Sequence, residues 1–98
     1  MITIIGGSGF VGTRLIDLIG IDKCFNIDKF QSVFFSSITK IADIRDSNRI
    51  PLDKNTSSVI LLAAEHRDDV SPTSLYYDVN VIGTKNVLDK MDEVGAKH

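Results

Sequence analysis

The chain has 98 residues, which suffices for one small domain and is too short for two. It carries 11 Lys and Arg against 13 Asp and Glu, so its net charge of −2 argues against a nucleic-acid or anionic-membrane partner held by bulk electrostatics. A hydrophobic share of 43% is typical of a folded globular protein. The single cysteine, Cys24, excludes an internal disulfide framework and a Cys-rich zinc site, and favours a reducing compartment.

Nothing in the sequence has the pattern of a secretory signal or a membrane span. The segment after Met1 has no basic start and no long apolar run. The longest uninterrupted apolar stretch covers residues 59–64, far short of the roughly 20 residues that span a bilayer. We therefore expect a cytoplasmic protein without a membrane partner.

The first part of the chain predicts a strand followed by a helix. Ile2–Ile5 is a short β-branched run, typical of a buried strand. A glycine-rich turn follows it, and the helix after that turn is expected to end at Gly20. The expected buried face of this helix consists of Val11, Leu15, Leu18 and Ile19, which recur at helical spacing.

Three more strands and a second helix are predicted downstream. The second strand covers residues 24–27 and closes at Asp28, and a weak third strand ends near residues 42–43. Residues 59–64 are apolar on both faces, as the central strands of parallel sheets are. Proline is favoured in a first helical turn, so Pro72 predicts a helix that runs to about Val94. The expected apolar side of that helix consists of Leu75, Val79, Ile82, Leu88, Met91 and Val94.

This alternation of strands and helices predicts an α/β domain with a parallel sheet and helices on its faces. No linker, repeat or low-complexity tract divides the chain, so residues 1–98 are expected to form one unit.

The turn after the first strand has the spacing of a dinucleotide-binding loop. Residues 7–12 match G-x-G-x-x-G, and Gly6, Gly9 and Gly12 match G-x-x-G-x-x-G. The first glycine permits a tight turn, the middle one lets a pyrophosphate approach the backbone, and Gly12 lets the helix pack closely on the sheet. The N–H groups at the start of the helix, at Phe10 and Val11, are then available to the phosphates.

The context of this turn favours dinucleotide binding, with a plain tight turn as the alternative. The turn follows a strand, opens an amphipathic helix, and is followed by an acidic residue, Asp28, at the end of the next strand. Two other glycine motifs do not fit. A phosphate loop requires Lys where Thr13 stands, and a nucleophile elbow requires glycine where Phe10 stands.

Asp28 is the candidate ligand of the adenosine ribose. Its carboxylate is expected to accept hydrogen bonds from the ribose hydroxyls and to repel a 2′-phosphate, which favours NAD over NADP. The neighbouring Lys29 partly offsets that repulsion. The alternative for Asp28 is a solvated strand end.

Besides the glycine turn, four segments of the chain carry the pattern of a family. They are residues 28–29, 42–46, 62–66 and 80–88. In this order they resemble the extended short-chain dehydrogenase/reductases, also called NAD-dependent epimerase/dehydratases, whose usual substrates are nucleotide sugars. The resemblance implies a Rossmann-like parallel sheet of strand order 3-2-1-4, the truncated N-terminal half of a doubly wound NAD(P)-binding domain.

The resemblance also implies roles near the adenine and the nicotinamide. Asp43 is expected near the exocyclic amine of the adenine, with Ile44 against the adenine face, although Asp43 and Asp46 could equally belong to an ordinary helix start. The small residues of the fourth strand end are expected to run under the nicotinamide ribose: Leu62, Ala63 and Ala64.

Three further residues complete the set that the resemblance implies. His66 is expected close to the cofactor ribose, with an ordinary surface histidine as the alternative. Asn80 is expected to hydrogen-bond the nearby loop backbone or the cofactor. Gly83 is expected to allow close approach to a neighbouring strand.

The catalytic residues of the family are not expected in this chain. The family chemistry requires a Ser or Thr after a fifth strand and a Tyr-x-x-x-Lys pair whose Tyr is the general acid and base. Tyr76 is followed four positions later by Asn80, and Tyr77 by Val81. We therefore expect the chain to bind NAD without turnover, and to self-associate through an unpaired outer edge of the fourth strand or the exposed side of the last helix.

Two functions from different classes stay open at this point. The first is the NAD-binding part of a nucleotide-sugar epimerase, dehydratase or reductase. The second is a non-catalytic regulatory module of the same fold that senses NAD(P). A third and weaker one is an interaction domain whose glycine turn binds nothing, which a titration with NAD would separate from the other two.

Overall fold

The computed structural model describes residues 1–46, 50–63 and 78–98. The strands and α-helices of these residues are, in chain order, β1 (Ile2–Ile5), α1 (Phe10–Ile19), β2 (Cys24–Asp28), β3 (Thr39–Ile41), β4 (Ser58–Leu61) and α2 (Thr84–Val94). Short 3-10 turns cover Ile21–Lys23 and Ser36–Ile38. A π-helical turn, Asp78–Gly83, leads directly into α2.

The described strands form one parallel sheet in the order β3-β2-β1-β4, which confirms the predicted Rossmann-like order. β1 lies between β2 and β4, with Ile2 opposite both Cys24 and Ser58. Open α/β sheets bind ligands outside the carboxyl ends of their strands, where the strand order reverses. In this sheet that point lies between β1 and β4.

Side chains of β1 alternate between two hydrophobic layers, because successive residues of a strand point to opposite faces. Ile4 packs with Ile16 of α1 and with Cys24. Ile5 packs in the other layer, where α2 contributes Val87. Ile4, Ile5 and Ile16 are at most 1% exposed, so β1 is the centre on which both layers are built.

The buried face of α1 is only partly the predicted one. Ile16 and Gly12 are the buried residues of this helix, while Val11 and Leu18 are 63% and 84% exposed. The predicted residues that do pack in this layer are Leu15 and Ile19. The prediction is wrong for Val11 and Leu18 because α1 turns its Gly12–Ile16 edge toward the sheet.

The second helix is described from Asp78 onward, and the predicted positions Leu75, Tyr76 and Tyr77 lie outside the described residues. Its first segment is a π-helical turn, whose i→i+5 hydrogen bonds make a wider turn than those of an α-helix. This changes the angular position of every later residue relative to a continuous α-helix.

The apolar side of this helix is shifted accordingly. Val79 and Val87 are buried, at 7% and 2% exposure, whereas Ile82 and Leu88 are 38% and 55% exposed. The predicted residues that do pack against the core are Val79, Met91 and Val94. The prediction is therefore wrong for Ile82 and Leu88, and it missed Val87. No helix among the described residues is both long and apolar enough to cross a membrane.

β4 differs from its prediction in extent, burial and pairing. It covers Ser58–Leu61, and its residues are half-exposed because it lies at the end of the described sheet. The outer edge of β4 is not free, since the Lys97 N–H donates to the Ser57 carbonyl at 3.2 Å and the Val59 N–H donates to the His98 carbonyl at 2.7 Å. The prediction of an unpaired outer edge is wrong at these residues.

The shifted face of α2 can be tested with two neighbouring substitutions. Val87→Ala is expected to lower the free energy of unfolding by about 2 kcal/mol, because it truncates a buried side chain that joins α2 to the core. The matched control, Leu88→Ala, removes an exposed side chain and is expected to change this free energy by less than about 0.5 kcal/mol. Urea unfolding followed by circular dichroism measures both. A larger loss for Leu88→Ala would support the face predicted from the sequence.

Candidate functional site

A crevice of about 660 Å³ lies at the carboxyl ends of the strands. Its lining residues follow directly on each described strand: Gly6 after β1, Asp28 at the end of β2, Ala42 after β3 and Leu62 after β4. The volume is within the roughly 300–1,000 Å³ of small-molecule sites. The crevice therefore lies where the topology of an open α/β sheet places a ligand.

Most of the predicted site residues line this one crevice. They are Gly6, Gly9, Phe10, Val11, Gly12, Asp28, Lys29, Asp43, Ile44, Leu62 and Ala63. Asn80 does not line it, although the neighbouring Val79 does. Ala64 and His66 lie outside the described residues. The ligand contacts assigned to all these residues stay predictions.

Three glycines of the turn, Gly6, Gly7 and Gly12, are required by the packing of the protein itself, and a Cβ added to Gly7 would collide with the buried side chain of Asn26. Gly6 has a φ of +90°, and a Cβ added to it would lie 2.5 Å from the backbone N of Ala63. A Cβ added to Gly12 would collide with the backbone of Gly7. The structure therefore gives Gly12 a close contact with the turn that precedes the helix, and its predicted contact with the sheet stays a prediction.

Gly9 differs from the other glycines of the turn, because no described neighbour requires a glycine there. An added Cβ would meet no atom of the described residues within 4 Å, and its φ of −80° with ψ of −174° is extended backbone. The first hydrogen bond of α1 runs from the Thr13 N–H to the Gly9 carbonyl, so the N–H groups of residues 10–12 have no partner within the helix. Within the described part of the chain, no side chain caps this helix end. Open backbone beside free N–H donors fits a pyrophosphate.

Asn26 holds the glycine turn from inside the protein. This residue of β2 is fully buried. Its Oδ1 accepts a hydrogen bond from the Gly7 N–H at 2.8 Å, while its Nδ2 donates to Ser8 Oγ at 3.1 Å and to Thr39 Oγ1 at 3.0 Å. One side chain thus ties the turn to β2 and β3. No sequence motif predicted this role, and the available signal was an amide side chain beside the apolar residues Cys24, Phe25 and Ile27.

The carboxylate of Asp28 lies beside the same turn. Its Oδ2 accepts a hydrogen bond from the Ser8 N–H at 3.0 Å, and its Oδ1 accepts one from the Phe30 N–H at 3.1 Å. An ionised carboxylate has about four acceptor positions, so both oxygens can still accept from ribose hydroxyls. Ser8 and Phe30 line the crevice as well, although neither was predicted from the sequence to belong to the site.

Lys29 is exposed and turns toward an aromatic ring. Its ammonium group lies 5.4 Å from the centroid of the Phe30 ring, within cation–π distance. The structure thus provides a contact for Lys29 other than the neighbouring carboxylate of Asp28. This placement is compatible with the expected preference for NAD over NADP.

Asp43 and Arg45 form an ion pair in the loop after β3. The Arg45 Nε donates to both carboxylate oxygens of Asp43, at 3.1 and 3.0 Å, and the Arg45 backbone N–H donates to Oδ1 at 3.0 Å. The hydrogen-bonded guanidinium holds the pKa of Asp43 below its ordinary value, and Asp43 raises the pKa of Arg45. Asp43 is therefore ionised at neutral pH, and its negative charge is largely balanced.

The loop after β3 is also attached to the second helix. Ile44 is 4% exposed, and a Cβ added to Gly83 would lie 2.6 Å from its Cδ1. The Asn86 Nδ2 donates to the carbonyls of Ile44 at 2.9 Å and Arg45 at 3.1 Å. The close approach expected for Gly83 is thus made with this loop and not with a strand. Most of the Ile44 side chain lies in the core, which limits what it can offer to an adenine face.

The ion pair of the loop predicts a pH dependence. Because the folded pKa of Asp43 is depressed, its stabilising contribution is present above the ordinary aspartate pKa of about 3.9 and is lost as the pH falls through the lower folded value. Carbon-detected NMR titration of the Asp43 carboxyl is expected to show this low midpoint. Arg45→Gln should move the midpoint upward, and an unchanged midpoint in that variant would contradict the assigned cause.

The geometry of the turn, the crevice and the sheet agrees with comparisons to known proteins. The sequence profile of the 3-beta hydroxysteroid dehydrogenase/isomerase family matches residues 3–98. The chain belongs to this family. This confirms the resemblance to the extended short-chain dehydrogenase/reductases and NAD-dependent epimerases.

Three proteins are similar to this chain in sequence or in fold. The curated N-acetyl-alpha-D-glucosaminyl-diphospho-ditrans,octacis-undecaprenol 4-epimerase of Escherichia coli O157:H7 is 54% identical over 101 residues, covering 99% of this chain and 30% of that protein. A solved monomeric L-threonine 3-dehydrogenase from a metagenome is 29% identical, with a TM-score of 0.80 over 99% of this chain and 34% of the other.

The third is UDP-glucose 4-epimerase from Thermus thermophilus, solved in complex with NAD. It is 20% identical, with a TM-score of 0.80 over 98% of this chain and 35% of the other, and shows the fold alone. The chain thus spans between 30% and 35% of the length of these relatives.

Proposed function

We propose that this chain is the NAD-binding region of an NAD-dependent sugar 4-epimerase. The observation that carries the proposal is the glycine turn at the crevice, where the open backbone of Gly9 and the free N–H groups of α1 lie beside the Asp28 carboxylate. Support comes from the curated relative, which is a 4-epimerase, and from the related fold that was solved with NAD.

Each part of the crevice is proposed to hold one part of NAD. The pyrophosphate would lie against Gly9 and the first turn of α1, and Asp28 would accept hydrogen bonds from the adenosine ribose. The loop at Asp43 would border the adenine. Leu62 and Ala63 would lie under the nicotinamide ribose. When bound, NAD supplies a reversible hydride acceptor. The residues of this chain bind it and orient it.

The substrate of the whole protein is proposed to be a sugar linked to a diphosphate. The curated relative is named for a sugar diphosphate carried on undecaprenol, and this favours a polyprenyl-linked substrate. A nucleotide sugar, as the resemblance implies, is the second candidate, and it carries the same glycosyl diphosphate. A polyprenyl-linked substrate would bring the protein to a membrane surface, so the expectation that no membrane is involved is not kept in this proposal. Epimerase assays with both substrates on the protein that carries this chain distinguish them.

The chain by itself is proposed to bind NAD without turnover, in the cytoplasm and without a nucleic-acid partner. The basis is the sequence, in which neither Tyr76 nor Tyr77 is followed four positions later by Lys. Self-association is proposed through the exposed Leu88 side of α2, because Met91 and Val94 pack on the core. A non-catalytic NAD(P)-sensing module is the alternative function, and a Ser with Tyr-x-x-x-Lys in the sequence that follows would argue against it.

Substitution of Gly9 tests the cofactor site without disturbing the fold. Gly9→Val is expected to abolish NAD binding in isothermal titration, because its branched side chain would occupy the path of the pyrophosphate. The chain should keep its secondary structure, measured by circular dichroism, since an added Cβ would meet no described atom within 4 Å. The contrasting variant, Gly12→Ala, should lower stability, because its Cβ collides with the Gly7 backbone. Wild-type NAD affinity in Gly9→Val would remove the dinucleotide assignment.

Substitution of Asp28 tests the choice between the two dinucleotides. The wild-type chain is expected to bind NAD more tightly than NADP. Asp28→Ala or Asp28→Ser should weaken NAD binding about tenfold or more, the effect of losing a hydrogen bond to a charged group. Either substitution should also reduce the difference in affinity between NAD and NADP. Titration with both dinucleotides measures this. A wild-type preference for NADP would show that Lys29 or Arg45 outweighs the carboxylate.

A further inference from the structure

Ser8 lies where the glycine turn contacts the residues after β2, and both segments donate a hydrogen bond to the Asp28 carboxylate. The Ser8 N–H donates to Asp28 Oδ2 at 3.0 Å, and the Phe30 N–H donates to Asp28 Oδ1 at 3.1 Å. The Ser8 hydroxyl donates to the Phe30 carbonyl at 2.8 Å. These three hydrogen bonds form a closed ring through Ser8, Asp28 and Phe30. The hydroxyl thus links the two residues whose N–H groups donate to the carboxylate.

The direction of the Ser8 hydroxyl is set by Asn26. The fully buried Nδ2 group of Asn26 donates to Ser8 Oγ at 3.1 Å, so the serine oxygen accepts from one side and its hydrogen points to the Phe30 carbonyl. Asn26 is itself fixed by Gly7 and Thr39. The ring is thus connected to the rigid interior of the sheet.

The glycine turn does not depend on the Ser8 hydroxyl for its own position. The Gly7 N–H donates to Asn26 Oδ1 at 2.8 Å, and the Gly6 N–H donates to the Ile27 carbonyl at 2.7 Å. Both bonds use atoms that a Ser8 side-chain substitution leaves in place. Removal of the hydroxyl therefore breaks the link to Phe30, and through it acts on the carboxylate. It also removes one acceptor of Asn26 Nδ2, whose hydrogen bond to Thr39 Oγ1 remains.

We propose that Ser8 is a positioning residue that orients the Asp28 carboxylate toward the adenosine ribose and so strengthens the preference for NAD over NADP. The inference rests on the proposed function, because it concerns the same dinucleotide site. A carboxylate that accepts a hydrogen bond at each of its two oxygens cannot rotate freely about its Cβ–Cγ bond. Its remaining lone pairs are then directed to one place, which favours a ribose diol and opposes a 2′-phosphate there.

The test is the ratio of the dissociation constants for NADP and NAD, measured on the full chain by isothermal titration. Ser8→Ala is expected to lower this ratio about three- to tenfold, the effect of losing one or two neutral hydrogen bonds. Ser8→Cys, which keeps the size but is a weaker donor, should give an intermediate ratio. Ser57→Ala is the matched control, since it removes a serine hydroxyl that donates to the Met1 carbonyl at 3.1 Å, away from the crevice.

A double-mutant cycle separates positioning from a general loss of structure. Because Ser8 acts through Asp28, Ser8→Ala should leave the ratio unchanged in an Asp28→Ala background. An unchanged ratio for Ser8→Ala in the wild-type background, or an equal fall in both backgrounds, would overturn the proposal. If Ser8→Ala does not fold, Ser8→Cys is compared with the wild-type chain instead. A ratio of dissociation constants in Ser8→Cys equal to that of the wild type would also overturn the proposal.

The same titrations distinguish a failure of the proposed function from a failure of the role proposed for Ser8. Binding of neither dinucleotide by the wild-type chain would overturn the proposed function, and this inference with it. A wild-type chain that prefers NAD, with a ratio that Ser8 does not affect, would leave the proposed function in place and overturn the role of Ser8 alone.

Discussion

The close packing of the glycine turn is the constraint on which the site depends. The backbone at Gly6 lies against residue 63 at the end of β4, and the backbone of Gly7 lies against Gly12 in the first turn of α1, with no room for a Cβ at either contact. These contacts place the start of α1 directly above the carboxyl ends of the central strands. The first turn of α1 lines the crevice, and its N–H groups have no partner within the helix, beside the open backbone of Gly9.

Steric contacts and hydrogen bonds have separate tasks in this arrangement. The glycines determine how closely the backbone segments approach, while Asn26 and Ser8 determine which polar groups face the crevice. Asp28 is gripped at both oxygens, and Asp43 is held by Arg45. The two carboxylates of the crevice are thus oriented by partners already present in the protein, so a ligand would meet a site that requires little rearrangement.

The crevice of this chain accounts for a dinucleotide, and the related proteins differ in the reactions for which they are named. Related proteins of the same fold are named as epimerases and as L-threonine dehydrogenases, and this chain covers only about a third of each. One fold can host many reactions, because function depends on the site built on it. The described crevice presents groups for a dinucleotide, whereas the polyprenyl-linked or nucleotide-linked sugar is proposed from the relatives.

The sequence by itself determined β1, β2, β3 and the glycine loop, because apolar runs and the spacing of Gly6, Gly9 and Gly12 are local patterns that survive into the fold. The strand order and the lining residues after β3 and β4 were expected from the family resemblance of the sequence. The sequence did not determine which side of each helix is buried. Tertiary packing decided that, through the contact of Gly12 with Gly7 and the π-helical turn before Val87. The bonds of Asn26 and Ser8, and the pairing of residues 97–98 with β4, were likewise decided by neighbours distant in the chain, which no local pattern records.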